Sequence, residues 1–303
     1  LPVYLTTCRW FGAKARRIRE VHIEEDVTVD GYRLLVLGVA YRHGASERYM
    51  LPLGFAQGLE AGEIRDEFPQ NVVCPLTVDK KAGLLFDATC REGFRGALLK
   101  LVVESGRVKG GSGTIAGLPG RKMRPVLEAA VGRPSRLFKA EQSNTSVRYA
   151  DTIFMKLYRK LGEGRNPELE IVSFLTDQTD FANIPPYIGA LEYRRNSSEP
   201  TTLALLQGFV ENVGDAWVYT QGVVGRYFER VLAGPGTAGE APPEVRRRGG
   251  IPESMDELLD AQHMEMVGLL GTRTAQMHLA LASRSRVPEF APERFTLLYQ
   301  RSL

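Results

Sequence analysis

Between residues 21 and 108 the chain alternates short apolar runs with polar breaks, mostly with a period near two. VHIEEDVTVDGYRLLVLGVAYRHG (21–44) carries Asp30-Gly31 between two apolar stretches, the signature of a tight hairpin. ERYMLPLGF (47–55), NVVCPLTV (71–78), GLLFDAT (83–89) and ALLKLVVE (97–104) continue the series at strand length. The pattern predicts an antiparallel, β-rich module over residues 1–108. KGGSGTIAGLPG (109–120) follows; it lacks the Lys-Ser or Lys-Thr of a Walker A loop and is expected to be a flexible connector.

Beyond it the period changes. Residues 123–131 predict a short helix ended by Gly132-Arg133-Pro134. Residues 136–139, 146–149 and 152–158 read as strands, with Ala150-Asp151 in a turn. Residues 167–178 read as a helix, because Asn166 suits its N-cap and Pro167 its first position. Ile184-Pro185-Pro186 interrupts regular structure before strands at 188–193 and 202–210. The remainder is helical. A first helix is expected over 217–232, then a surface loop over 233–250 rich in Gly, Pro and Ala. Ser254-Met255-Asp256-Glu257 forms a capping box for a long amphipathic helix that includes Leu258, Met266, Leu270 and Met277 and runs to about Ser283. Pro288 and Pro292 break the pattern ahead of an apolar piece at 295–299. Three parts emerge: a β-rich cap (1–108), an α+β segment (109–210) and the start of a helical lobe (211–303).

Composition narrows the function classes. With 43% hydrophobic and 25% charged residues the chain is of ordinary globular type, and no apolar run reaches the ~20 residues that span a bilayer. A net charge of +3 is too small to argue for nucleic acid; the basic residues between Arg9 and Arg19 run directly into Glu20, Glu24, Glu25 and Asp26. Cys8, Cys74 and Cys90 are odd in number and lack ligand spacing, which suggests a reducing cytoplasm, and the four scattered histidines suggest no metal site. Trp10 and Phe11 are expected in a core, and His278 in a structural role on its helix.

The chemistry concentrates at 139–170. Alternation in 152–158 puts Ile153, Met155 and Leu157 on one face and Phe154, Lys156 and Tyr158 on the other. A lysine in so apolar a strand must reach solvent or find an anion. On the following helix Val172 and Leu175 lie within about 40° of Glu168, so Glu168 shares the packed face, while Glu170 points about 160° away. A Lys156–Glu168 pair is expected, with Glu170 as the fallback. Gln142, Ser143, Asn144, Thr145 and Ser146 join two strands ahead of the lysine, either as a polar loop over phosphates or as an ordinary hairpin turn. Backbone groups near Gln207, Phe209 and Val210 would meet an adenine at the end of LALLQGFV (203–210), which is otherwise a core strand. Loop, strand lysine and helix carboxylate together are what a nucleotide-binding kinase lobe uses.

Motifs along nearly the whole chain carry a family likeness: RWFGAKAR (9–16), EQSNTSVRY (141–149), FMKLYR (154–159), NPELE (166–170), TLALLQGFVENVGDAWVYT (202–220), LLGTRTAQMHLAL (269–281) and FTLLYQRSL (295–303). In these the chain resembles bacterial maltokinases, including those fused to or partnered with trehalose synthase, within the aminoglycoside-phosphotransferase-like kinases. The resemblance implies an α+β, protein-kinase-like N-lobe preceded by a β-rich cap and followed by an incomplete helical C-lobe. It implies transfer of the ATP γ-phosphate, with Mg²⁺, to the anomeric hydroxyl of maltose, and trehalose synthase as a partner. It also implies that Lys156 contacts the phosphates, Glu168 orients it, and the 142–146 loop covers the nucleotide. Such kinases carry a His-Gly-Asp catalytic loop, and no such triplet occurs here: His43-Gly44 is followed by Ala45. The catalytic aspartate is therefore expected beyond Leu303, and the chain as it stands is expected to be inactive. Other acceptors, such as glucosamine, and a noncatalytic role in docking trehalose synthase are the competing readings.

Overall fold

The computed structural model describes residues 1–138, 143–195, 198–233, 261–284, 287–292, 296 and 300–301. Gln142, Lys139, the 234–250 loop, the capping box with Leu258, and most of the 295–299 stretch lie outside the described residues. The chain divides into two compact units, Leu1–Val210 and Glu211–Leu303.

The first unit holds two antiparallel sheets. Strands β1 (Ile18–Val29), β2 (Tyr32–Tyr41) and β3 (Glu47–Gln57) form a meander, extended by β4 (Val72–Val78) and β5 (Lys81–Asp87) in the order β1-β2-β3-β5-β4. Asp30 and Gly31 both take positive φ, +48° and +81°, in the two-residue turn that the hairpin between β1 and β2 needs. Helices α1 (Pro2–Thr7) and α2 (Gly58–Glu67) belong to the same part of the chain, which is less purely β than alternation predicts. One face of this sheet buries Leu35, Leu37, Val39, Tyr49 and Leu51 against Tyr4, Leu5 and Phe11. Phe11 thus sits in a core as expected, its ring 4.9 Å from that of Tyr49.

The opposite face meets α3 (Glu92–Val103), and here the strand expected at 97–104 is overturned. Phe94, Leu98, Leu101 and Val102 recur at helical spacing and are buried together. A short apolar run cannot distinguish strand from helix by itself. The flexible connector expected at 109–120 is also corrected. Strands β6 (Arg107–Lys109) and β7 (Gly113–Pro119) form a hairpin at the edge of the second sheet. Glycine serves close packing there, since a Cβ at Gly117 would run into the backbone of Leu101 on α3.

Helix α4 (Arg124–Ala129) lies within the 123–131 prediction. The second sheet continues with β8 (Ser135–Phe138), β9 (Asn144–Tyr149) and β10 (Ile153–Tyr158), while the short β11 (Lys160–Leu161) pairs back onto β3. Helix α5 (Pro167–Gln178) precedes β12 (Tyr187–Arg195) and β13 (Thr201–Gly208), and the sheet order is β6-β7-β12-β13-β10-β9-β8. One core runs from the first sheet through α3 to Ile153, Met155, Leu157, Ile188 and Leu206 of the second.

The two sheets are also locked by a carboxylate. Glu25 on β1 accepts hydrogen bonds from Gly111 N at 2.7 Å, Ser112 N at 2.9 Å and the Tyr193 hydroxyl at 2.8 Å. A Cβ at Gly110 would lie 2.6 Å from that carboxylate, so the turn must be glycine for Glu25 to enter. The glycine-rich turn does bind an anion, and the anion is the chain's own side chain.

Within the second unit, α6 (Ala216–Ala233) and the helix Ala261–Ala282 meet through Tyr219 and His263, whose rings lie 5.7 Å apart. Among the described residues, no helix is long and apolar enough to cross a membrane.

Candidate nucleotide site

The site is assembled on β10. Ala150 and Asp151, at φ +46° and +56°, close the hairpin from β9 and fix its register. Lys156 then stands opposite Ser146 on β9 and Leu205 on β13, and Phe154 stands opposite Arg148 and Gln207. Ile153, Met155 and Leu157 are buried, which turns Lys156 to the other face.

Helix α5 brings the partner. Asn166 Oδ1 caps it by accepting from Glu168 N at 2.8 Å, and Asn166 N donates to Thr202 Oγ1 at 3.0 Å, tying the helix start to β13. Val172 and Leu175 are buried and turn Glu168 toward the sheet. Lys156 Nζ lies 3.0 Å from Glu168 Oε1 and 3.2 Å from Oε2, and the Tyr158 hydroxyl donates to Oε2 at 2.9 Å. The two side chains remain 22% and 37% exposed, so the pair is open to a ligand from one side. An ammonium has three N–H donors and here both recorded acceptors belong to one carboxylate, which leaves a donor for a further oxygen.

Ser146 lies directly across the ladder from Lys156, fully buried, and its Oγ has no hydrogen-bond partner among the described residues. Farther along the same sheet, the Phe138 ring packs edge-on to Phe154 at 5.7 Å and lies 6.4 Å from Phe209. The Arg148 guanidinium stacks 3.9 Å above Phe209. These rings make a tilted aromatic cluster beside the strand that carries Lys156, with one face of Phe209 covered by Arg148.

Not every predicted residue reaches this face. Gln142 is outside the described residues, and Ser143 is exposed. Thr145 pairs with Leu157, so register sends its side chain to the opposite face, where Oγ1 accepts from Arg159 Nε at 2.7 Å. Asn144 lies opposite Tyr158 at the ladder's end. The amides of Gly208 and Phe209 already donate to Pro186 O and Thr152 O, each at 2.8 Å, and strand β13 ends at Gly208 rather than at Val210. Gln207 is half-buried opposite Phe154, and Val210 is exposed. Sequence reasoning missed Tyr158 as the third member of the lysine–carboxylate cluster, although the alternation that turns Lys156 outward turns Tyr158 the same way.

A lysine-bearing antiparallel sheet with its helix glutamate, preceded by a β-rich cap that shares its core, makes a kinase-like fold with an N-terminal cap. Residues 4–90 match the maltokinase N-terminal cap domain. Three solved structures are similar along most of the chain. Glucosamine kinase in crystal form B aligns at TM-score 0.50 and 18% identity, covering 94% of this chain and 50% of that one. The complex of glucosamine kinase with glucosamine, ADP and inorganic phosphate aligns at 0.48 and 16%, covering 93% and 50%. Crystal form A aligns at 0.46 and 18%, covering 87% and 46%. The chain therefore spans about half the length of the structures it matches, and the likeness to crystal form B establishes the fold alone.

Proposed function

We propose that this chain provides the nucleotide-binding part of an ATP-dependent sugar kinase whose acceptor is maltose. The observation that carries this reading is the Lys156–Glu168 pair in the same compact unit as a segment matching the maltokinase cap. Lys156 would hold phosphate oxygens while Glu168 and Tyr158 fix its ammonium. The adenine would rest near Phe138, Phe154 and Phe209. When bound, ATP supplies the γ-phosphoryl group for transfer to the anomeric hydroxyl, giving maltose 1-phosphate. Mg²⁺ would arrive on the ATP phosphates; among the described residues no three His, Cys, Asp or Glu side chains gather to hold it by themselves.

The test measures ADP release by the natural full-length polypeptide with ATP, Mg²⁺ and maltose, glucosamine or glucose in turn. Turnover with maltose well above that with the other two supports the proposal. No turnover with maltose, or a preference for glucosamine, defeats the maltose assignment while leaving the nucleotide site to be judged by binding.

A further inference from the structure

A trough of about 490 Å³ opens at one edge of the second sheet, where β6, β7 and β12 run side by side. Its floor is three alternate residues of β7, Thr114, Ala116 and Leu118, while Ile115 and Gly117 between them are buried on the other face. Register sets the walls. Lys109 of β6 and Arg194 of β12 stand on either side of Thr114, and Arg107 and Glu192 on either side of Ala116. Leu118 lies past the end of β6 and leaves that end of the trough apolar.

The charges are one-sided. Arg107, Lys109 and Arg194 are exposed, and none of the three forms an ion pair or side-chain hydrogen bond among the described residues. Glu192 is the one carboxylate of the lining, and Arg165, from outside it, already donates to Glu192 Oε1 at 3.0 Å. Behind the turn at the cationic end, Glu25 is taken up by the amides of Asp26, Gly111 and Ser112 and by the Tyr193 hydroxyl, which holds that end in place. Three cations thus surround an uncharged floor, and no anion of the chain answers them.

Spacing and width select the partner. Arg107 and Lys109 are two residues apart on one strand, about 6.8 Å, which is also the step between side chains on one face of any extended chain. The backbones of the two walls stand two strand spacings apart, about 9.6 Å. A helix with its side chains is about 10–12 Å across, too wide to lie between them. We propose that the trough docks an extended acidic segment of a partner protein, with carboxylates at alternate positions. One carboxylate meets Lys109 and Arg194, the next meets Arg107, and an apolar side chain two positions further on meets Leu118. From Thr114 to Leu118 the floor is about 13 Å long, which holds about five residues of such a segment.

The trough shares no residue with the Lys156 cluster. It opens on the same face of the sheet, but Ala190 and Leu205, which stand between Leu118 and Lys156 in register, are fully buried.

Fluorescence anisotropy of the full chain with the labelled, end-capped peptide Glu-Thr-Glu-Thr-Leu tests this, beside Gln-Thr-Gln-Thr-Leu and the rearranged Glu-Glu-Thr-Thr-Leu. The first should bind saturably, at least about tenfold more tightly than the glutamine peptide. The rearranged peptide should bind at least about threefold more weakly, because its adjacent acids point to opposite sides of an extended chain. Arg107→Glu and Arg194→Glu should each weaken the first peptide at least about fivefold with unchanged melting. Lys14→Glu, an exposed charge reversal in the N-terminal segment, and Lys156→Met should leave its affinity unchanged. The proposal is overturned by no saturable binding up to about 1 mM, or by equal binding of the glutamine or rearranged peptide. It is equally overturned by unaffected Arg107→Glu or Arg194→Glu, by as large a loss in Lys14→Glu, or by loss in Lys156→Met.

Discussion

Lys156 Nζ sits 3.0 Å from Glu168 Oε1, joining the middle of β10 to the first turn of α5. Both side chains keep contact with solvent, so the pair contributes little to stability, on the order of 0–1 kcal/mol. Its value lies in holding one ammonium in place. Glu168→Gln is expected to leave thermal melting within a degree or two of the parent while weakening ADP binding several-fold. A large drop in melting temperature with unchanged ADP affinity would make the pair structural only.

The lock between the sheets gives the opposite balance. Glu25 accepts bonds from the amides of Asp26, Gly111 and Ser112 and from Tyr193, and its removal takes the acceptor from three backbone donors and a buried hydroxyl. Glu25→Ala is expected to lower unfolding free energy by about 2–3 kcal/mol, measured by urea denaturation. Gly110→Ala should be comparably harmful, because its Cβ would enter the space of the carboxylate.

Acid should loosen the first sheet. Glu47 receives Lys160 Nζ and the hydroxyls of Tyr41 and Tyr49, each at 2.7 Å. Burial alone would raise its carboxyl, but the bonds from Lys160, Tyr41 and Tyr49 outweigh it and hold it at about 2, against an ordinary 4.5. For Glu25, burial likewise raises, and the bonds from Asp26 N, Tyr193, Ser112 and Gly111 bring the net shift down. A carboxyl lowered in the folded state stabilises it fully above its unfolded value, and that stability is lost as pH falls toward the folded value. Melting temperature should therefore fall between about pH 5 and pH 2, and Glu47→Gln should flatten the slope. A slope identical in the variant would show that Glu47 is not its source.

The buried Arg159–Asp87 pair, at 2.8 Å and nearly without solvent, should be far less tolerant than Lys156–Glu168. Asp87→Ala leaves a buried guanidinium uncompensated and is expected to cost about 3–5 kcal/mol in denaturant unfolding. A cost below about 1 kcal/mol would mean that water already reaches the pair.

Thiol chemistry separates the three cysteines. Cys74 on β4 is exposed, whereas burial, the largest influence on each, pushes the Cys8 thiol up to about 11 and the Cys90 thiol up to about 12. Titration with a chromogenic disulfide at neutral pH should give one fast thiol in the native protein and three after denaturation. More than one fast thiol would indicate that the core around Cys8 or Cys90 opens readily.

What the sequence revealed follows the range of the interactions involved. Lys156 and Glu168 are twelve residues apart, and strand alternation with helical spacing was enough to turn both toward one face. Thr145 escaped, because only the register of β9 against β10 decides which face it takes. The run at 97–104 is apolar enough for either a strand or a helix, and its packing between two sheets settled it as helix. Glu25 and Gly111, or Arg159 and Asp87, are separated by more than seventy residues, and nothing local announces such pairs.

The central claim is that the Lys156 face of β10 grips a nucleotide. Calorimetric titration of the chain with ADP, beside its Lys156→Met variant at matched melting temperature, tests it most directly. The account predicts one-to-one binding by the parent and at least about tenfold weaker binding by the variant. No binding by the parent, or equal affinity in the two proteins, would contradict it.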